Sequence, residues 1–279
     1  MNLNYSKIES FCEGLDHPES ICIDEQGMIY AGGEAGQIYR ISPHGKVTLL
    51  ATTGGFILGL ALDGDGAIHA CDCAQGKVWK ITPDGSISER SSGTPQRPLT
   101  IPNHPAFDCD GNMFVTDSGD YWSETGTGCL MRIDRKQQTT LFHEGPFRFA
   151  NGLAVDPTNR WLYIAQSTAA NIVRVPISET NGPIEVMYQL PPGTVPDGLA
   201  FAADGQLLIG CYKPDGIFIG RIDGSVELLV EDPTGELLNR PTNIALAEGR
   251  IYVANLGGWH ISVLKSELLP CPLHRPRFG

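Results

Sequence analysis

The sequence predicts an all-β fold, a six-bladed β-propeller with four strands per blade, and three observations predict it. A phrase returns six times: a polar or small residue, then Gly or a small residue, then an apolar stretch ending near Asp and Gly. The copies read PESICIDEQGMIYAGG, ILGLALDGDGAIHACD, PNHPAFDCDGNMFVTDS, ANGLAVDPTNRWLYIAQS, PDGLAFAADGQLLIGCY and PTNIALAEGRIYVANL, with Glu19, Leu58, Asn103, Asn151, Asp197 and Thr242 at the first position. They are spaced 39, 45, 48, 46 and 45 residues apart, the period of a propeller blade. Each period also holds several short strand-like segments, and the last unit lacks a fourth strand whose pattern stands unpaired at the N-terminal end.

Each unit opens with an apolar strand such as Gly152-Leu153-Ala154-Val155, and a turn rich in Asp and Gly follows, as at Asp204-Gly205. A β-branched or aromatic second strand comes next, at Met28 to Ala31, Asn112 to Thr116 and Trp161 to Ala165. The third strand alternates (GQIYRISP, GKVWKITP, GCLMRIDR, NIVRVPI, GIFIGRID), and the fourth is more polar (KVTLLAT, SISERSS, TTLFHEG, IEVMYQL, SVELLVE). After ISVLK the sixth unit runs into LLPCPLHRPRFG, too proline-rich for a fourth strand. The N-terminal KIESFCEG has the fourth-strand pattern and no blade of its own, so it is expected to close the ring by completing the last blade. The expectation is one domain over 1–279, with blades starting near 19, 58, 103, 151, 197 and 242 and a tail, 266–279, strapped on the outside.

Composition narrows the function. A formal net charge of −12 argues against nucleic acid or an anionic membrane as partner. MNLNYSKIES has no apolar core of a leader, and no apolar run approaches the roughly 20 residues of a membrane span, so a cytoplasmic protein is expected. It would be a monomer or small homo-oligomer acting on a small-molecule substrate. The eight cysteines lie scattered in strand-like segments and read mostly as buried free thiols; Cys71 and Cys73 have no second pair or nearby His to complete a zinc spacing.

Radial repeats bring equal positions together. Side chains at the first phrase position ring the axis, so Glu19, Asn103, Asn151 and Asp197 converge. Two carboxylates on one axis repel and are costly to desolvate, and a cation or a shared proton removes the conflict. Two carboxylates and two amide oxygens, with no His or Cys, suit a hard divalent ion. Calcium accepts such an irregular oxygen set and is the first expectation, with magnesium, manganese or zinc behind it. Leu58 and Thr242 leave two sides of the ring free.

Glu19 in HPES, Asn151 in ANGLAVD and Asp197 in PDGLAF, with CYKP one strand later, resemble the metal-binding motifs of the senescence marker protein, gluconolactonase and luciferin-regenerating enzyme family. The resemblance covers nearly the whole chain, closing strand included. It implies a six-bladed propeller with a catalytic divalent ion in the channel mouth, typically a lactonase. The Glu, Asn, Asn, Asp order is also similar to that of diisopropylfluorophosphatase and the paraoxonases, and Asn103 fits this wider pattern. In gluconolactonase-type members the third phrase reads roughly Arg-x-Asn-Asp-Gly, the Arg contacting the sugar lactone; here Ile101 and His104 stand in place of the Arg and the Asp.

Loops before each phrase and after each second strand form the rim beside the ion. They contain His17, Phe56, Ile57, Tyr121, Trp122, Phe147, Arg148, Tyr212 and Trp259, an aromatic rim that suits an apolar substrate body better than a polyhydroxy sugar. His17, His104, Tyr121, Trp122, Arg148 and Tyr212 are the candidate substrate contacts. The leading expectation is a metal-dependent lactonase with Asp197 as both ligand and general base. The alternatives are a phosphotriesterase or aryl esterase of the diisopropylfluorophosphatase type, and a non-enzymatic binding propeller in which the metal is structural.

Overall fold

Period-two alternation, broken by Asp-Gly turns, dictates short antiparallel strands, and the computed structural model, which describes residues 7–247 and 249–278, shows 24 of them. The expected span of 1–279 includes residues 1–6, 248 and 279, which lie outside the described residues. The strands form six four-stranded sheets arranged as the blades of a propeller, and no α-helix occurs among the described residues. The innermost strands are Ile21–Ile23, Ile57–Leu62, Pro102–Phe107, Ala150–Val155, Val195–Phe201 and Pro241–Ala247 in blades one to six. Neighbouring innermost strands contact one another around the whole ring.

Closure follows the expectation. Ile8–Glu13 pairs antiparallel with His260–Lys265, giving the last sheet its outermost strand from the other end of the chain. An otherwise open sheet edge is thereby covered.

Both faces of each blade are buried, which explains why the second strands read as nearly continuous apolar runs. The core is divided into six clusters, one at each junction between neighbouring blades. Ile57, Leu60 and Ile68 of blade two, for example, pack on Cys22 and Ile38 of blade one. Five cysteines are buried thiols, Cys73 and Cys271 are half-buried, Cys109 is exposed, and all eight are free.

The Asp that ends the apolar stretch has a local task. Asp24, Asp63, Asp108 and Asp156 each accept backbone N–H bonds from the turn that follows, as Asp63 Oδ1 does from Asp65 and Ala67 at 3.0 and 2.8 Å.

The tail differs from expectation. Instead of wrapping the outside, it crosses the end of the propeller that carries these turns. Leu269 to Cys271 bond to Phe201, Ala202 and Ala203 of blade five; Arg275 donates to the Ile23 carbonyl of blade one; Gly64 N–H of blade two donates to Pro276 O at 2.9 Å. Phe278 ends beside His69 and Phe107, ring centroids 6.2 and 6.0 Å away. The outer edge of blade six is already occupied by Ile8–Glu13; of the tail's apolar side chains Leu268, Cys271 and Phe278 pack against the inter-blade clusters, while Leu269 and Leu273 stay exposed.

Candidate functional site

In five blades the register of the innermost strand shifts at the phrase. Two residues, Leu58-Gly59, Asn103-His104, Asn151-Gly152, Asp197-Gly198 and Thr242-Asn243, face a single residue of the second strand. Such a bulge re-aims side chains out of the pleat, and here it does so at the same step around the ring. In blade one Glu19 precedes the strand, its N–H donating to Gly32 O at 3.3 Å.

The bulge also accounts for glycine at the second phrase position. A Cβ on Gly152 would lie 2.1 Å from the Asp197 carbonyl oxygen, on Gly59 2.3 Å from that of Asn103, and on Gly198 2.7 Å from that of Thr242. Each of these three glycines therefore lets the next blade's phrase backbone come into contact.

A second repeated device fixes the approach to each phrase. At the end of the second strand Asp72, Asp117, Gln166 and Asn255 accept N–H bonds from Phe56, Ile101, Arg148 and Asn239, at 3.0, 3.1, 2.7 and 3.0 Å. The loops at the channel mouth are thus tied to the rigid sheets behind them.

The four oxygen-bearing side chains are all buried. Asn151 donates from Nδ2 to Asp197 Oδ2 at 3.0 Å and to Ser167 Oγ at 3.1 Å, and Ser167 Oγ donates onward to Pro196 O at 2.8 Å. Asn103 repeats the relay: Nδ2 donates to Ser118 Oγ at 3.1 Å, and Ser118 Oγ to Ala150 O at 2.8 Å. Because both amide NH2 groups are committed to a serine, the carbonyl ends are left to face elsewhere. Thr242 Oγ1 and Asn243 Nδ2 hold the Glu19 carbonyl at 2.6 and 3.0 Å. Thr242 is therefore not an idle gap in the ring; it pins the strand that carries Glu19.

On these four side chains, three buried oxygens have no hydrogen-bond partner among the described residues: Glu19 Oε2, Asn151 Oδ1 and Asp197 Oδ1. They come from three blades. Burial, and then the charge of Asp197, pushes the Glu19 carboxyl well above the usual carboxylate range; burial pushes Asp197 up to about 7, opposed by the Asn151 bond. Orphaned hard oxygens of this kind on two mutually repelling carboxylates fit a divalent cation.

The remaining candidates separate by location. His104 is surrounded by protein yet keeps accessible surface, as expected of a side chain in the central channel. Its Nδ1 has no partner and burial holds the imidazole down to about 4, so the ring is neutral. His17 sits at the rim, its Nδ1 3.0 Å from Asp16 Oδ1 and 3.2 Å from Glu34 Oε2, its ring 5.1 Å from that of Trp259. Asp16, His17 and Glu34 form a solvent-facing acidic group separate from the buried oxygens. Tyr121 stacks edge-on with Trp122 and Phe149 at 5.1 and 5.0 Å, and Trp122 is 84% exposed. Arg148 lies in the loop before Asn151, and Tyr212 lies under Arg240, 5.4 Å from the ring centroid. Ile57 and Phe147, expected at the rim, are instead core residues, since strand alternation turns them into the junctions between blades.

Comparison with known proteins now adds the lineage. Residues 90–255 match the model of the SMP-30/gluconolactonase/LRE-like region. The chain belongs to this family. Residues 12–41 match, in addition, the N-terminal region of strictosidine synthase-like proteins. A 6-deoxy-6-sulfogluconolactonase of Pseudomonas putida is 25% identical over 240 residues, 78% of this chain and 71% of that one. The adipocyte plasma membrane-associated protein of Salmo salar is 27% identical over 227 residues, 70% of this chain, which spans about half (53%) of that relative's length. Among solved structures, a gluconolactonase from Xanthomonas campestris superposes with a TM-score of 0.79 at 18% identity, covering 94% of this chain and 89% of that one. A calcium-binding regucalcin from Agrobacterium tumefaciens gives 0.76 at 16%, covering 96% and 98%. At these identities the superpositions show the propeller fold. No helix among the described residues is long and apolar enough to cross a membrane.

Proposed function

We propose that the chain is a divalent-cation-dependent hydrolase that opens lactones. The observation that carries this reading is the trio of unpartnered, buried oxygens on Glu19, Asn151 and Asp197, with Asn103 oriented by the same serine relay. These four residues hold the cation, calcium before other divalent ions because the donors are all oxygen and come from separate blades. The regucalcin neighbour, described as calcium-binding, and the lactonase relatives support the same reading. When bound, the cation supplies Lewis acidity for an ester carbonyl and charge stabilisation for the oxygen that becomes negative.

The chain supplies the rest. Ser118 and Ser167 fix the amides of Asn103 and Asn151 so that their carbonyl oxygens, not their NH2 groups, remain available. Asp197 is the base: Asn151 orients its carboxylate through Oδ2, and it takes the proton of an attacking water. Ile101 brings no charge to the third blade's rim and His104 is a neutral imidazole in the channel, so a sugar lactone bound through an Arg and an Asp there is disfavoured.

Elemental analysis of purified protein, combined with hydrolysis of sugar lactones, aliphatic lactones and organophosphates before and after chelation, tests the proposal. Expected are a bound divalent ion, lactone turnover that chelation abolishes, and its loss in folded Asp197→Ala. Equal lactone turnover in chelated protein would sink the cation's role, and turnover confined to organophosphates would transfer the site to phosphotriester chemistry.

A further inference from the structure

One ring of the propeller is left unexplained by the cation site. Two residues before each phrase start stand His17, Phe56, Ile101, Phe149, Val195 and Arg240, one per blade, at the same phase around the mouth. In blades one, four and six this residue has a left-handed backbone, with φ of 40° at His17, 56° at Phe149 and 49° at Arg240, so these three loops turn alike. Arg240 is the one arginine or lysine in that ring. Its N–H is tied to the Asp215 carboxylate, its stem passes beside Gly257, and its guanidinium lies over the Tyr212 ring.

Blade four contributes a second arginine one step earlier. Arg148 is fixed through its own N–H by Gln166, and its carbonyl accepts from Thr168 N at 3.4 Å. Arg148 Nε and Thr168 Oγ1 are both buried and both without a partner. Neither arginine's side chain forms an ion pair or hydrogen bond among the described residues. The carboxylates of blade one's rim, Asp16 and Glu34, which adjoins blade six in the closed ring, are engaged with His17. A buried guanidinium donor left unmade is costly, and a planar fork suits an oxyanion.

We propose that Arg148 and Arg240, flanking the blade that carries Asp197, form an anion subsite of the mouth, so that the substrate is a lactone bearing a negatively charged substituent. Thr168 adds a hydroxyl donor on the blade-four side. The substituent is directed toward blades four to six, while Phe56, Ile101 and Tyr121 offer the rest of the molecule an apolar wall on blades two and three. This rests on the hydrolase reading for the lactone but not for the anion.

The test compares γ-valerolactone with the analogue in which its ring methyl is a carboxylate, and with sulfonate and phosphonate analogues, in calcium-loaded protein. The wild type is expected to favour the anionic lactones at least about tenfold in kcat/KM. Arg148→Gln and Arg240→Gln are each expected to erase most of that preference through KM, Arg148→Lys to keep part of it, and added salt to weaken it. A wild type indifferent to the substituent, or a preference unchanged in both Gln variants, overturns the proposal. Calorimetric titration with glutarate separates the two readings. Binding that the Gln variants lose, in a protein that opens no lactone, keeps the anion subsite and removes the hydrolase; lactone turnover with glutarate affinity equal in wild type and variants does the reverse.

Discussion

Replacing Asp197 by Asn removes one of two buried carboxylates while keeping the shape and an oxygen to accept from Asn151 Nδ2. In cation-free protein this substitution is expected to stabilise the fold. The Asp197 carboxyl rises from an ordinary 3.8 to about 7 on folding. At roughly 1.4 kcal/mol per pH unit, ionising it in the folded chain costs about 4 kcal/mol. The sign follows from linkage. A carboxyl whose folded pKa is raised contributes its full stability below the unfolded value and loses it as pH climbs through the folded one, so the wild type without cation weakens between about pH 4 and pH 7. The variant, with no proton to lose, escapes that decline. Thermal unfolding in chelator at pH 8 should place Asp197→Asn above wild type, by up to about 10 °C at roughly 2–4 °C per kcal/mol for a chain near this size. At pH 4 the two should converge. Calcium should then raise the wild-type midpoint at pH 8 and leave the variant's nearly unmoved, because the cation has lost a charged ligand. A chelated variant melting at or below wild type at pH 8, or a calcium shift as large in the variant, would refute the reasoning.

Two further outcomes are expected. Ser167→Ala removes the hydroxyl that aligns the Asn151 amide and bridges to Pro196; calcium affinity measured by calorimetry should fall about 10- to 100-fold, with a stability loss of only about 1–2 kcal/mol, and an unchanged affinity would show that the relay does not orient the ligand. Gly152→Ala places a methyl 2.1 Å from a backbone oxygen that cannot swing aside; denaturant unfolding should show a loss of about 1–3 kcal/mol, and a neutral result would mean that the blades separate more easily than the bulge geometry allows.

The sequence by itself determined the architecture. Six copies of one phrase, strands of period two and an unpaired strand pattern at each end specify a closed ring of four-stranded blades, because repeated units with two apolar faces bury them only against one another. It also named four oxygen-bearing residues at equal phase, of which the structure joins Asn151 to Asp197 by a hydrogen bond and sets Glu19 within reach of the Asp197 charge. What it could not show were the contacts between repeats. The bulge that aims Asn103, Asn151 and Asp197 is a register event between strands, signalled in the sequence only by the glycine that follows two of them. Ser118 and Ser167 lie 15 and 16 residues from the asparagines they hold, and become their partners only when first and second strands pair. The tail's path depended on which surface was left uncovered after Ile8–Glu13 had taken the last edge. Arg148 and Arg240 sit at different steps of their repeats, so no periodicity pairs them; that both flank blade five at the mouth with no ion pair among the described residues was decided by the tertiary structure, which alone fixes what each charge can reach.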